Sequence, residues 1–284
     1  MDLHDRSILL TGAGSGIGRA LALQLAQHSV RLTLVGRRRA PLEEVAELVR
    51  GRGSRAHVVA ADLTAPGAPA QVVAAALEAF GGLDVLVNNA GNVRAGRLES
   101  LSEAEVLAQI ALNLTAPVLL TRAALPALRA SGQARGQASG QASGQASGEA
   151  LVVNVSSGIG LVALPFYATY AATKAGIAHF GDALRRELAG EGVRVLNVYP
   201  GATSTPMMDS SSAGAEHGFE YESAQDVAVA TVEGMTGDEL RVVRGGQARR
   251  RMIALDREDP AALDAVLAER KEALEQAVAA HSSL

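Results

Sequence analysis

Short, uninterrupted apolar runs alternate along this chain with longer stretches in which apolar residues return every three or four positions. The runs Ser7 to Thr11, Leu32 to Gly36, His57 to Ala61, Asp84 to Val87, Leu151 to Val155 and Val193 to Val198 read as buried strands, with Leu240 to Val243 as a last edge strand. Between them the helical period covers Arg19 to Gln27, a segment led by Pro41, Ala68 to Phe80, Ser102 to Leu128, a segment through Tyr170 and Lys174, and Asp226 to Met235. Strands that alternate with helices cannot close as hairpins. They predict an α/β fold, a doubly wound parallel sheet of about seven strands with helices on both faces.

Composition narrows this picture. The chain has 284 residues, 48% of them hydrophobic and only 3% aromatic, which suits helices packed on one sheet in a single domain. A net charge of -4 argues against nucleic acid or an anionic membrane as the main partner. The absence of cysteine excludes disulfides, thiolate metal sites and a cysteine nucleophile, and no metal site is expected. The polar start, Met1 to Arg6, does not resemble a signal peptide, and no uninterrupted apolar run approaches the ~18 residues that cross a bilayer. A cytoplasmic protein is expected.

The candidate chemistry gathers at two places. The first strand ends in Gly12-Ala13-Gly14-Ser15-Gly16-Ile17-Gly18 and a helix follows, a context in which bare backbone and free N–H groups can meet a pyrophosphate. The second strand ends at Gly36 and runs into Arg37, Arg38 and Arg39 where an NAD-binding fold would carry an acid, so NADP(H) is favoured over NAD(H). A solvated basic cluster at a positive helix end would be unfavourable without an anion. The second place is Val152 to Lys174. Tyr170 and Lys174 stand four residues apart and share a helix face, where an ammonium can lower the phenol's pKa from about 10 and make it a tunable acid. Ser157 precedes them by one loop, in reach of the same carbonyl oxygen. Tyr167, whose fourth neighbour is Ala171, has no such base.

Together these stretches closely resemble the short-chain dehydrogenase/reductase family. Thr11-Gly12 with Gly16-Ile17-Gly18, Asp62, Asn88 to Gly91, Asn113, Ser157, Tyr170 with Lys174, and Pro200-Gly201 with Thr205 stand in the family's order between about Ser7 and Val232. The resemblance implies a Rossmann-like fold. It implies that Asp62 bonds the adenine with Leu63 beside it, that Asn89, Ala90 and Gly91 line the adenosine ribose, and that Asn113 sits in a locally distorted helix near the lysine. It also implies that Pro200, Gly201, Thr203 and Thr205 face the nicotinamide carboxamide. The activity expected is hydride transfer between NADP(H) and a carbonyl or secondary alcohol, with Ser157 holding the oxygen, Tyr170 as acid and base, and Lys174 on the nicotinamide ribose. A non-catalytic redox sensor is the alternative; it has no use for the serine, tyrosine and lysine together.

Three regions depart from the family or carry less. Residues 131–148, built on a Gly-Gln-Ala-Ser repeat, are expected to form a flexible loop at the strands' N-terminal edge, dispensable for catalysis. Pro206 to Ser223, with Met207, Met208, Phe219 and Tyr221, suits a substrate lid, and Val93, Leu164 and Phe166 are expected to add apolar pocket wall. Residues 1–245 form the expected dinucleotide-binding and catalytic domain, and 246–284 a helical extension. There Arg249, Arg250 and Arg251 are expected to solvate a surface, and a helix capped by Asp259-Pro260 carries Leu263, Leu267, Leu274 and Val278 on one face. A small-molecule partner and a homo-oligomer, dimer or tetramer, complete the expectation.

Overall fold

The computed structural model describes residues 1–138 and 150–284. Its main sheet has seven parallel strands: β1 (Ser7–Thr11), β2 (Arg31–Gly36), β3 (Arg55–Ala60), β4 (Val85–Asn88), β5 (Ala150–Val155), β6 (Val193–Tyr199) and, after a short pair β7 (Ala202–Ser204) and β8 (Tyr221–Ser223), β9 (Arg241–Val243). Their spatial order is β3-β2-β1-β4-β5-β6-β9, so the winding reverses between β1 and β4. Ligands bind at the carboxyl ends of strands beside such a reversal.

The strands are apolar on both faces because both are covered. Ile8, Leu10, Leu32, Leu34, Val85, Val153 and Val198 pack under α1 (Gly16–Leu25), α2 (Arg39–Arg50) and α7 (Ala224–Thr236). The alternate positions Leu9, Val35, Leu86, Val152 and Val195 pack under α3 (Ala68–Phe80), α5 (Ala116–Ala138) and α6 (Ala168–Glu187). A buried amide ladder stitches the central strands: Asn88 donates to Asn154 at 3.0 Å, Asn154 to Asn197 at 3.2 Å, and Asn197 to Asp182 at 3.2 Å.

Three expectations need correction. The helix expected over Ser102 to Leu128 is α4 (Glu103–Ile110), a π-helical turn at Ala111–Thr115, and α5, and α5 carries on to Ala138. Residues 131–138 are therefore helical rather than loop. Ser131 donates to Asp84, and Gly132 lies so close to Gly192 that a Cβ there would come within 2.5 Å of the Gly192 carbonyl. These contacts sit just before β4 and β6, at the strands' N-terminal edge as expected, while the repeat over 139–148 lies outside the described residues. The continuous helical stretch Glu103–Ala134 is long and apolar enough to span a bilayer by length and composition, yet its Ala116, Leu120, Ala124 and Leu128 are buried in the core beside β5.

The extension is three helices rather than one: α8 (Gln247–Glu258), α9 (Pro260–Ala268) and α10 (Lys271–Val278). Asp259 caps α9, accepting from the Ala262 N–H at 3.0 Å. Leu274 and Val278 bury against Val93, Tyr167 and Phe219, so the tail roofs the site side of the sheet. Its end is tied down further by Ala95 N–H to His281 O at 3.0 Å and Ser283 N–H to Val93 O at 2.9 Å.

Candidate active site

At the reversal point the β1 loop is shaped by bonds to its neighbour strand. The Thr11 hydroxyl donates to Val87 O at 3.2 Å and accepts from the Asn89 and Ala90 N–H groups at 2.9 and 3.0 Å. Asn89 donates to Thr11 O at 2.9 Å. Gly12 and Gly16 hold positive φ, +66° and +51°, which side chains resist. Gly18 is fixed by packing: a Cβ would stand 2.1 Å from the Gly12 carbonyl oxygen. Ser15 precedes α1, whose first residues, Gly16 to Gly18, line the cleft.

Two clefts meet at this loop. The first is lined by Gly12, Ser15, Gly16, Ile17, Gly18, Asn89, Ala90, Gly91, Ser157, Tyr170, Lys174, Pro200, Gly201, Thr203 and Thr205. The second is lined by Gly12, Gly14, Ser15, Arg37, Arg38, Asp62, Leu63, Ala90 and Gly91. All the site residues expected from the sequence lie along this tract except Asn113, which stands behind Gly91. A Cβ on Gly91 would be 3.1 Å from Asn113 Oδ1 and 3.4 Å from Lys174 Nζ.

The second cleft is cationic at one end. Arg39 pairs with Glu43 at 3.1 Å, but Arg37 and Arg38 are exposed and have no ion pair among the described residues. No acid stands in the first turn of α2. Asp62 accepts from the Thr64 N–H and hydroxyl at 2.9 and 2.7 Å, and these bonds lower its pKa.

In the first cleft β5 ends at Val155, and Ser157 caps the turn that follows, accepting from the Ile159 N–H at 3.3 Å. Helix α6 then presents Tyr170 and Lys174 on one face, with Lys174 Nζ 5.8 Å from the Tyr170 ring centre. Lys174 donates to Val155 O at 3.0 Å, and burial lowers its pKa to about 8. Burial pushes the Tyr170 phenol up to about 12, and the Ser157 hydroxyl acts the other way. This corrects the expectation that the lysine lowers the phenol's pKa in the protein alone. The ammonium is turned to a backbone carbonyl, and desolvation dominates the phenol.

Asn113 lies inside the π turn, which the Ala116 N–H closes by reaching back to Ala111 O. Its side chain is fully engaged: Oδ1 accepts from the Asn92 N–H at 2.9 Å, and Nδ2 donates to Asn92 O at 2.9 Å and to the Thr173 hydroxyl at 3.3 Å.

The apolar wall differs from expectation. Val93 and Met207 line the cleft, whereas Leu164 is buried behind it and Phe166 stacks with Arg97, 5.9 Å from its ring. Of the expected lid residues Met208 and Phe219 also line it, and Tyr167, Arg249 and His281 are the additions. Tyr167, which lacks a helix partner, finds one in the tail: its hydroxyl meets His281 Nδ1 at 2.7 Å, and His281 Nε2 meets Met207 O at 3.0 Å. Arg249 is buried rather than solvating a surface. Its sequence signal was the helical spacing that puts it on one face with Met252 and Ile253; His281, alone near the C-terminus, gave none.

A family profile for short chain dehydrogenase matches residues 6–216, and the chain belongs to that family of oxidoreductases. An uncharacterised oxidoreductase of Mycobacterium tuberculosis is 34% identical over 215 residues, 75% of each chain. Among solved structures, a short chain dehydrogenase from Burkholderia cenocepacia in complex with NADP is 29% identical, with a TM-score of 0.74 over 87% of this chain and 99% of that one. A 3-ketoacyl-(acyl-carrier-protein) reductase from Brucella melitensis complexed with NADH is 28% identical, with a TM-score of 0.72 over the same shares.

Proposed function

We propose that the protein is an NADP(H)-dependent oxidoreductase acting on a carbonyl or secondary alcohol. The observation that carries this reading is the convergence of Ser157, Tyr170 and Lys174 on one cleft that runs unbroken to the glycine turn. The tract fits an extended dinucleotide: bare backbone at Gly12 and Gly16 beside a helix N-terminus for the pyrophosphate, Asp62 and Leu63 for the adenine, and Thr203 and Thr205 at the other end. Solved relatives that carry NADP and NADH support the cofactor class.

A bound nicotinamide supplies or accepts the hydride. Ser157 holds the substrate oxygen, and Tyr170, protonated at neutral pH because of its burial, gives that oxygen a proton. With the cofactor bound, Lys174 would bond the nicotinamide ribose. Asn113 positions the group, since its bonds to Asn92 and Thr173 hold the Gly91 loop and α6 together. A cofactor sensor without catalysis does not use this trio.

The same proposal covers assembly and location. Leu107, Ile110 and Leu119 are exposed on α4, the π turn's entry and α5, which supports a homo-oligomer. A cytoplasmic location, expected from the sequence, goes with it.

The preference for NADP(H) rests on Arg37 and Arg38. Replacing both by serine is expected to raise the KM for NADPH at least ~10-fold while leaving NADH nearly unchanged. Cofactor consumption over a panel of ketones and alcohols, with both nicotinamides, checks it. Equal effects on the two cofactors would contradict the assignment.

A further inference from the structure

One wall of the cleft carries a cation that the reaction just described does not use. Arg249, in the first turn of α8, is only 6% exposed and lines the same cleft as Ser157 and Tyr170. Its Nη1 is buried with no hydrogen-bond partner, and it forms no ion pair among the described residues. It lies beside the residue after the candidate oxygen-holding serine: a Cβ on Gly158 would lie 3.7 Å from both Arg249 Cδ and Nε.

Among the described residues no acid is paired with it. No Asp or Glu lines the cleft. Glu222 is held by Arg244 at 2.8 Å and by the Gly201 N–H at 3.2 Å. Glu220 folds against Gly246, where its Oε2 occupies the space a Cβ would need. Lys174, the other cation of the cleft, is already bonded to Val155.

Burying a charge without a partner is costly, so an isolated guanidinium at a cleft wall is stable only in part until an anion joins it. Its planar fork matches a carboxylate with two parallel bonds. We infer that Arg249 receives a carboxylate of the substrate, so that the carbonyl compound reduced here is a small oxo acid, or the hydroxy acid oxidised in the reverse direction. This inference rests on reading the cleft as a carbonyl site. The carbonyl lies at Ser157, the carboxylate lies against α8, and Val93, Met207 and Phe219 surround the carbon chain between or beyond them.

The test uses full-length protein loaded with NADPH or NADP. Straight-chain 2-oxo and 3-oxo acids of graded length are compared with their neutral primary amides, by cofactor oxidation and by calorimetric binding, in wild type, Arg249→Gln and Arg249→Lys. In wild type at least one acid should exceed its amide by ~10-fold or more in kcat/KM. In Arg249→Gln that ratio should fall toward one through a higher KM, and Arg249→Lys should restore part of it. Because the arginine is unpaired, Arg249→Gln should melt no lower than wild type in the absence of ligand, which separates a recognition role from a structural one.

Acids no better than amides in wild type, or equal losses for acid and amide in Arg249→Gln, would overturn the inference. The two levels separate cleanly. Arg249-dependent binding of an acid without cofactor turnover supports the anion site and contradicts the reductase, whereas turnover of amides and ketones without any preference for acids does the reverse.

Discussion

Tyr170 and Lys174 show how far spacing alone carries an argument at the scale of single residues. Four positions on a helix place the two side chains on one face, but which atom the ammonium meets depends on the strand beside it. Here it meets the Val155 carbonyl, and the phenol is governed by burial. The consequence for stability has a definite sign. The folded lysine releases its proton near pH 8, below its usual 10.5, so between those values the unfolded chain holds a proton the folded chain lacks. Unfolding then takes up a proton, and stability rises with pH across that window. Melting temperatures of unliganded wild type and Lys174→Met, measured from pH 7.5 to 10, should show the wild type gaining on the variant. A constant or shrinking difference would mean that the lysine is not strained by burial. His281 was illegible, and the helical spacing of Arg249 did not say what its face would meet, for a related reason: burial of a charged residue depends on what the tail lands on, and neither composition nor charge runs encode that.

At the scale of elements, the strands and the glycine turn were legible because each rests on local chemistry. Apolar runs buried on both faces appear as such in the sequence, and the expected helix over Ala68 to Phe80 matches α3. The breaks were not legible. A π turn inserts one residue without changing composition, and the division of the tail between α9 and α10 falls in an otherwise helical pattern. The repeat looked like loop along its whole length, yet its first residues extend α5 because Ser131 and Gly132 find partners before β4 and β6. The glycine turn makes a sharper demand. At Gly18 the obstruction to a Cβ is a backbone carbonyl, which cannot rotate away as a flexible side chain would. Gly18→Ala should cost on the order of 1–3 kcal/mol, the usual range for overpacking, and weaken NADPH binding by opening the turn. Chemical denaturation together with fluorescence titration of NADPH checks both effects; a variant as stable and as tightly bound as wild type would contradict the packing.

Across the whole molecule, the site is assembled from parts far apart in the chain. The loops after β1, β2 and β3 form one end of the tract, those after β4, β5 and β6 the other, and α6 and the tail close it. Parallel winding brings these carboxyl ends to one rim, which is why an alternating pattern of strands and helices foretold where the chemistry lies. It did not foretell the roof. His281 reaches the cleft through contacts of the tail with the 206–223 segment, among them Ser212 N–H to Ala277 O at 3.0 Å, and with the loop after β4, while Leu274 and Val278 pack behind it. What the assembly should achieve is proton donation at one oxygen. The most direct measurement is NADPH oxidation by Tyr170→Phe with the best substrate of the carbonyl panel, beside a titration of its NADPH affinity. Loss of the phenol should lower kcat by ~100-fold or more while NADPH affinity stays within a few-fold; full turnover in that variant would contradict the account.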